Sequence, residues 1–473
     1  MSARKAFVAS LLLASAVLCG VHPGNTRRSD YLSTCQAIAN AISSASEVYY
    51  PLSIQYTADN AHWAASSSAA SACSVEPGTP ADVGKIIKGG GHASNPGFSS
   101  TAGVQIAMTR FSTVTNNAAS KTVDVGAGLI WDDVYKALDG SGVNIVGGRV
   151  PGVGVAGFTL GGGYSWKSNQ YGLTIDNIVA YELVLPSGTV TTVTEANTDL
   201  WFALRGIVTK FTLKSYPQTE VWGGAIIYSG LNADQVNAAT AKFSAQVTDK
   251  KAGILPTNDV ELAAVLVVVL VFYDGPTPPA GIFDDLLAIP PVSNSAKTQS
   301  FYSFLTSLPS TNPLAGPRAL FSSVSVLQYT ESLLKVIYNE TLFWAAWLTL
   351  LDTSPFVSYD VEPFNPAFLS YGSGSAYPAS RAQPLLPTNL YFSWTLPELD
   401  QQIHDALVQS TNTIRAAAVA EGQDVAGATI YVNYALYDTP LEGIYGGNVA
   451  RLQAIRKSVD PNGVMGLAGG FKF

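Results

Sequence analysis

Pro151-Gly152-Val153-Gly154-Val155-Ala156-Gly157-Phe158-Thr159-Leu160-Gly161-Gly162-Gly163-Tyr164 is the stretch on which the fold turns. Gly152–Gly157 matches G-x-G-x-x-G, and Asp176 lies 19 residues on. That pattern admits a dinucleotide-binding βαβ unit, which needs the motif to open a helix. Gly161-Gly162-Gly163 follows four residues later. Glycine costs a helix about 1 kcal/mol per residue relative to alanine, so three in a row disrupt it. The fingerprint is therefore read as part of one long glycine loop, with the NAD-dependent dehydrogenase kept as the weaker alternative.

Working outward, Lys88-Gly89-Gly90-Gly91-His92-Ala93 is a second glycine cluster. Three successive glycines permit positive φ and present bare N–H groups to an anion such as a pyrophosphate. Around these loops the pattern predicts strands at Val104–Met108 and Lys121–Val125, a helix at Ile130–Leu138, and a hairpin of Ile178–Leu185 and Val190–Val193 about Pro186-Ser187-Gly188. A short helix at Asp199–Leu204 runs almost directly into a strand at Ile207–Leu213. Ile207, Thr209, Phe211 and Leu213 share one face of that strand. Such a connection usually takes about 2–6 residues, and here Gly206 is nearly all of it. Thr79-Pro80-Ala81-Asp82 reads as a capped helix start, and Cys35–Val48 as a helix.

The glycine clusters stop near residue 220. Apolar, proline-punctuated segments follow to about 428, including the Val-rich run Leu262–Phe272, which reads as a buried strand. The chain thus divides into 31–219, an inserted 220–428, and a Tyr-, Asn- and Gly-rich tail, 429–473, expected to return to the first part.

A composition of 47% hydrophobic and 13% charged residues is that of a globular chain. The net charge of −8 and the lack of a basic run argue against nucleic-acid binding. Arg4 and Lys5 ahead of an apolar Ala6–Cys19 read as a signal peptide over residues 1–20, hence secretion with no membrane attachment afterwards. Its removal leaves Cys35 and Cys73, expected to form a disulfide in an oxidising compartment, two separate buried thiols being the alternative. Asn339-Glu340-Thr341 is a glycosylation sequon. No cluster has metal-ligand spacing, and His62 and His404 read as structural or surface residues.

Taken together, the Lys88–His92 loop, Pro151–Tyr164, Tyr171-Gly172-Leu173-Thr174-Ile175-Asp176-Asn177, Tyr431-Val432-Asn433-Tyr434 and Asp460-Pro461-Asn462-Gly463-Val464-Met465 resemble, in order, the motifs of the vanillyl-alcohol oxidase superfamily. Within it the chain is most similar to fungal secreted FAD-linked oxidases of berberine-bridge type. The resemblance implies an α+β fold. This is a two-domain PCMH-type FAD-binding fold with an inserted substrate domain built on an antiparallel sheet with helices. It implies FAD bonded covalently through His92, with Gly89, Gly90, Gly91, Ala93, Val153, Gly154, Gly157, Gly161, Gly162, Tyr431 and Asn433 at the cofactor. Some members add a cysteine bond at the position of Val150, so attachment here would be single. Val153 would leave molecular oxygen access. Tyr434 would be a base of lowered pKa. On a strand Tyr431 and Tyr434 would face opposite ways, so a bend is required. Asp360 and Glu362 would assist proton removal from one strand face, the blander reading being a solvated sheet face. The implied reaction moves a hydride from a small-molecule alcohol, sugar or amine to FAD and then to O₂, giving H₂O₂. The chain departs from these relatives between Asp82–Ile87 and the Lys88 loop, and after Arg205. Both departures adjoin the cofactor, so a catalytically dead member with a collapsed FAD site is the alternative.

Overall fold

The computed structural model describes residues 31–85, 94–261, 264–309, 318–352, 355–372 and 374–473. The expected signal peptide, and Gly89, Gly90, Gly91, His92 and Ala93, lie outside them.

The helix expected over Cys35–Val48 is shorter. Helix α1 is Leu32–Ala41, and Glu47–Tyr49 instead form strand β1. The reason is Asp82, buried at the other side of the turn. It accepts from Ser43 N (3.0 Å), Ser43 Oγ (2.5 Å) and Ser46 Oγ (2.8 Å), which draws the chain off the helical path. Burial pushes the Asp82 carboxyl up, but these bonds and Thr79 outweigh it and hold it well below the usual range. The predicted cap is present: Thr79 accepts from Asp82 N at the start of the helix Pro80–Val83.

Strand β1 pairs antiparallel with β2 (Cys73–Glu76), which pairs parallel with β3 (Val104–Ile106). Cys35 and Cys73 are disulfide-bonded and join α1 to this sheet. The bond closes a separation of 38 residues, for which the chain-entropy relation gives about 4 kcal/mol. A Cys35→Ser/Cys73→Ser chain is expected to unfold in urea with roughly that loss; a change under about 1 kcal/mol would contradict the cross-link's role.

A second sheet has five strands: β4 (Val114–Asn117), β5 (Thr122–Gly126), β6 (Ile178–Val184), β7 (Val190–Val193) and β8 (Ile207–Lys214). Their order is β4-β5-β8-β6-β7, antiparallel throughout. Ile207, Thr209, Phe211 and Leu213 are all buried, as their alternation requires. The helix before β8 ends early, at Phe202, so Ala203–Gly206 supplies a four-residue link of ordinary length. Gly206 is needed there. Its φ is +148°, and a Cβ would sit 2.2 Å from the Val184 carbonyl oxygen.

The third sheet has eight strands. Its long members are β9 (Val221–Ser229), β10 (Ala252–Glu261), β11 (Ala264–Tyr273), β12 (Arg318–Val326), β13 (Phe356–Val361) and β14 (Leu386–Trp394). The central run is β9-β11-β10-β13-β14-β12, all antiparallel. One face of its β10-β13-β14-β12 half carries Val260, Val357, Phe392 and Leu320. They pack beneath helices α2 (Glu331–Thr349) and α3 (Asp400–Ala420). The other face is polar and turns toward the first part of the chain: Ser66 Oγ donates to the Ala319 carbonyl (2.8 Å), and Trp63 stacks on Phe321 at 5.4 Å. The fold is thus a mixture of helices and mainly antiparallel sheets, as the family resemblance implied. No helix among the described residues is long and apolar enough to cross a membrane.

Candidate functional site

Val155–Leu160 forms a short helix that opens directly after Gly154 and stops at Gly161. The triple glycine ends it, and Gly162 and Gly163 continue at φ +111° and +80°. The five-stranded sheet beside it is antiparallel, so among the described residues the glycine motif joins no pair of parallel strands, which argues against the NAD-type reading. The loop has two flanks. On one, a Cβ at Gly161 would lie 2.0 Å from Asn433 Oδ1, at Gly162 2.7 Å from the Tyr377 ring, and at Gly163 2.6 Å from Phe158. On the other, a Cβ at Gly152, Gly154 or Gly157 would meet nothing within 4 Å. Val153 is half-buried, packed on the apolar cluster around Trp131, and Val150 is also partly covered.

The required bend at Tyr431–Tyr434 exists. Val432–Tyr434 is one turn of 3₁₀ helix with Tyr431 at its cap. A 3₁₀ turn has three residues, which superposes positions i and i+3. The Tyr431 and Tyr434 rings accordingly meet edge to face at 4.8 Å. Tyr431 Oη accepts from Gly163 N (3.2 Å) and Asn433 Nδ2 (2.8 Å), tying the tail to the glycine loop. Asn433 is otherwise exposed.

Tyr434 donates to Glu362 Oε1 at 2.9 Å. Glu362 is 1% exposed and pairs through Oε2 with Arg149 Nη2 at 2.6 Å. Arg149 Nη2 also lies 3.3 Å from the Tyr434 hydroxyl, as donor. The three side chains close a ring of polar contacts. Arg149 follows Gly147 and Gly148, whose missing Cβ atoms let the chain lie on the Trp131 ring. Tyr135 Oη then holds the Gly148 carbonyl (2.9 Å) and Trp166 Nε1 the Arg149 carbonyl (3.0 Å).

Two expectations need correction. Tyr434 is not a phenol of lowered pKa: burial, then the Glu362 charge, push it well above its ordinary value. Nor are Asp360 and Glu362 on a solvated face. Strand β13 ends at Val361, and Glu362 turns inward to Arg149. Burial raises Glu362, Arg149 opposes it, and the net is upward. Asp360 is also raised, by burial first, and accepts from Asn389 Nδ2 at 2.8 Å. Arg149 went unnoticed in the sequence. The available signal was a lone charge amid Val146-Gly147-Gly148 and Val150-Pro151. His404 is a structural residue, held by Asp438 (3.0 Å) and Asp405 (3.1 Å). Among the described residues no group of acids, histidines and cysteines could hold a metal.

The described chain resumes at Ser94 and Asn95, both buried, with Asn95 Nδ2 donating to the Ala435 carbonyl (2.8 Å). Asn95 Oδ1, Ser99 Oγ, Gln105 Oε1 and Thr159 Oγ1 are buried without a hydrogen-bond partner. Orphaned polar atoms and an open glycine flank fit a large cofactor rich in donors and acceptors, such as FAD.

A family model for an FAD-binding domain matches residues 73–194, and one described as berberine and berberine-like matches 430–468. The chain is 38% identical over 228 residues to an FAD-linked oxidoreductase of Arthroderma benhamiae, across 46% of this chain and 45% of that protein. It therefore spans about half the length of that relative. It is 27% identical over 461 residues to an FAD-dependent monooxygenase of Aspergillus calidoustus, covering 88% of this chain and 86% of the other. Among solved structures, Physcomitrella patens BBE-like 1 superposes with a TM-score of 0.72 at 21% identity, over 91% of this chain and 97% of that one.

Proposed function

We propose that this chain, a berberine-bridge-like protein of the FAD-linked oxidoreductases by its two matched segments and its fold, is a secreted oxidase with FAD attached through His92 alone. The observation that carries the reading is the Arg149–Glu362–Tyr434 ring joined through Tyr431 to the glycine loop. FAD, when bound, would supply hydride-accepting and oxygen-reducing chemistry with H₂O₂ as the product. The open glycines at 154 and 157 would give its phosphates close backbone approach, while those at 161 and 162, expected at the cofactor, instead make room for Asn433 and Tyr377. Val153 leaves oxygen access. Tyr434 presents its hydroxyl to the substrate alcohol, sugar or amine. Glu362 takes the proton that Tyr434 relays, and Arg149 holds Glu362 in place and stabilises its charged form. Asp360, one strand row away, adds negative charge behind Glu362.

The alternative of a dead, collapsed site has one observation in its favour. Within the Ala203–Gly206 link, Arg205 lies over Phe473 at 4.5 Å with Nε and Nη2 buried and unbonded. Acid precipitation separates the readings. The native chain should carry flavin into the pellet, and His92→Ala should release it to the supernatant. Flavin retained in the His92→Ala pellet would disprove the attachment site, and a native chain that takes up no flavin would favour collapse.

A further inference from the structure

Helix α2 buries one side against the large sheet through Leu333, Leu334, Ile337, Trp344, Ala345 and Leu348. The outward side of a surface helix is ordinarily polar and charged. Here it is not. Thr341–Leu351 holds no charged residue. Phe343 is 58% exposed and Leu350 85%, Ala346 and Leu351 are also exposed, and Trp347 is partly so. Asn339, Phe343, Ala346 and Leu350 recur at spacings of four, three and four, which places them in one stripe. An apolar stripe of this kind is a contact surface.

The stripe begins at the sequon Asn339-Glu340-Thr341. Its three side chains diverge. Glu340 is partly buried and accepts from Trp344 Nε1 (2.9 Å) and Ser410 Oγ (2.7 Å). Thr341 is fully buried, its hydroxyl donating to the Ile337 carbonyl (2.9 Å). Asn339 alone is exposed. Helical side chains lean toward the N-terminus, so Phe343 leans back over the turn that carries Asn339. Trp344 braces the Phe343 ring edge to face at 5.0 Å. The face of an aromatic ring is its negative side, and the C–H groups of a pyranose present weakly positive hydrogens to it. A sugar on Asn339 therefore meets a flat apolar partner one turn along.

We propose that Asn339 carries an N-linked glycan whose first sugars lie on Phe343 and shield the 339–350 stripe. The assignment rests on the secretion in the reading above, because an exported chain meets the sugar donor. That donor is a lipid-diphosphate-linked oligosaccharide of the host's secretory compartment. A bond forms between Asn339 Nδ2 and the sugar C1, the C1–O bond to the diphosphate breaks, the amide nitrogen gives up one proton, and the lipid diphosphate leaves. The sequon's threonine is buried in the folded chain, so attachment precedes the packing of α2. A second copy of the chain is the rival occupant. The position of the sequon favours the sugar, because a glycan rooted in the stripe bars flat contact with another protein.

The test expresses the full chain from Met1 in a eukaryotic secreting host and weighs the peptides of the protein in the medium. The peptide containing Asn339 is expected to carry sugar mass that peptide-N-glycosidase removes. Removal from the folded native protein should raise the fluorescence of an apolar-surface dye at least about twofold, and Asn339→Gln should do the same. Asn339→Gln/Phe343→Ser should return the dye signal toward the native value. Flavin content should be the same across the set, since the stripe faces away from the sheet. Medium protein with Asn339 unmodified overturns the glycan and spares the secreted-oxidase reading. A chain kept inside the host with residues 1–20 uncleaved overturns both. A glycan whose removal leaves dye binding unchanged overturns the shielding. Glycan-free native chain that sediments as a dimer gives the stripe to a second copy instead. Enzymatic removal acts on folded native protein, so it decides alone if Asn339→Gln fails to fold.

Discussion

Glu362→Gln is expected to slow substrate oxidation by about 10²–10⁴-fold, the range contributed by a positioned general base. Among the described residues, this carboxylate is the one proton acceptor within hydrogen-bond distance of the Tyr434 hydroxyl, and glutamine keeps its shape but not its basicity. The substitution also leaves Arg149 buried without a countercharge, and breaking a buried pair in this way costs about 3–5 kcal/mol. Two measurements separate these effects. Urea unfolding reads the lost stability. Anaerobic bleaching of flavin absorbance, counted per folded flavin-loaded molecule, reads the chemistry. An unchanged bleaching rate alongside reduced stability would make Glu362 a structural residue only. The pH profile of the native chain gives a further check. Burial raises the Glu362 carboxyl, so the rate should begin to fall, on acidification, at a higher pH than an ordinary glutamate would give.

Lys167→Met should cost about 3–5 kcal/mol of stability. Lys167 is fully buried and donates to Asp274 at 2.7 Å, between the rings of Tyr171 and Phe301. Asp274 also accepts from Gln170 (2.7 Å) and Gln218 (2.9 Å). Without the lysine it becomes a buried anion on two neutral amides. Burial pulls the Lys167 ammonium below its ordinary value, and Asp274 opposes that pull. Lys167→Met/Asp274→Leu should recover much of the loss, because burying neither charge avoids the desolvation cost. Urea denaturation of both proteins checks this. A single variant within about 1 kcal/mol of the native chain would show that the pair is neutral to folding.

Much of the local structure was legible because it depends on near neighbours. The 178–193 hairpin, the Thr79 cap and the stop at Gly161 follow from turn, cap and glycine rules acting over a few residues. The errors arose where a distant partner decided. The helix after Cys35 stops early because Asp82, some forty residues on, binds Ser43 and Ser46. Nothing in the sequence singles out the pairing of Arg149 or Lys167, because their partners, Glu362 and Asp274, lie more than a hundred residues away. Alternation along β13 placed Asp360 and Glu362 together, but it could not reveal that the strand ends between them. Nor could it show that the face they border is covered by the first part of the chain.

The dispersed origin of the polar ring also sets an order of events during synthesis. Arg149 leaves the ribosome first, Glu362 more than two hundred residues later, and Tyr434 later still. Domains generally fold as they emerge, N-terminal part first. Until the 431–434 turn is released, the nascent protein holds a buried-pair partner and a glycine loop with no tyrosine to close them. The polar ring is therefore finished last, when the 431–434 turn brings Tyr434 to Glu362.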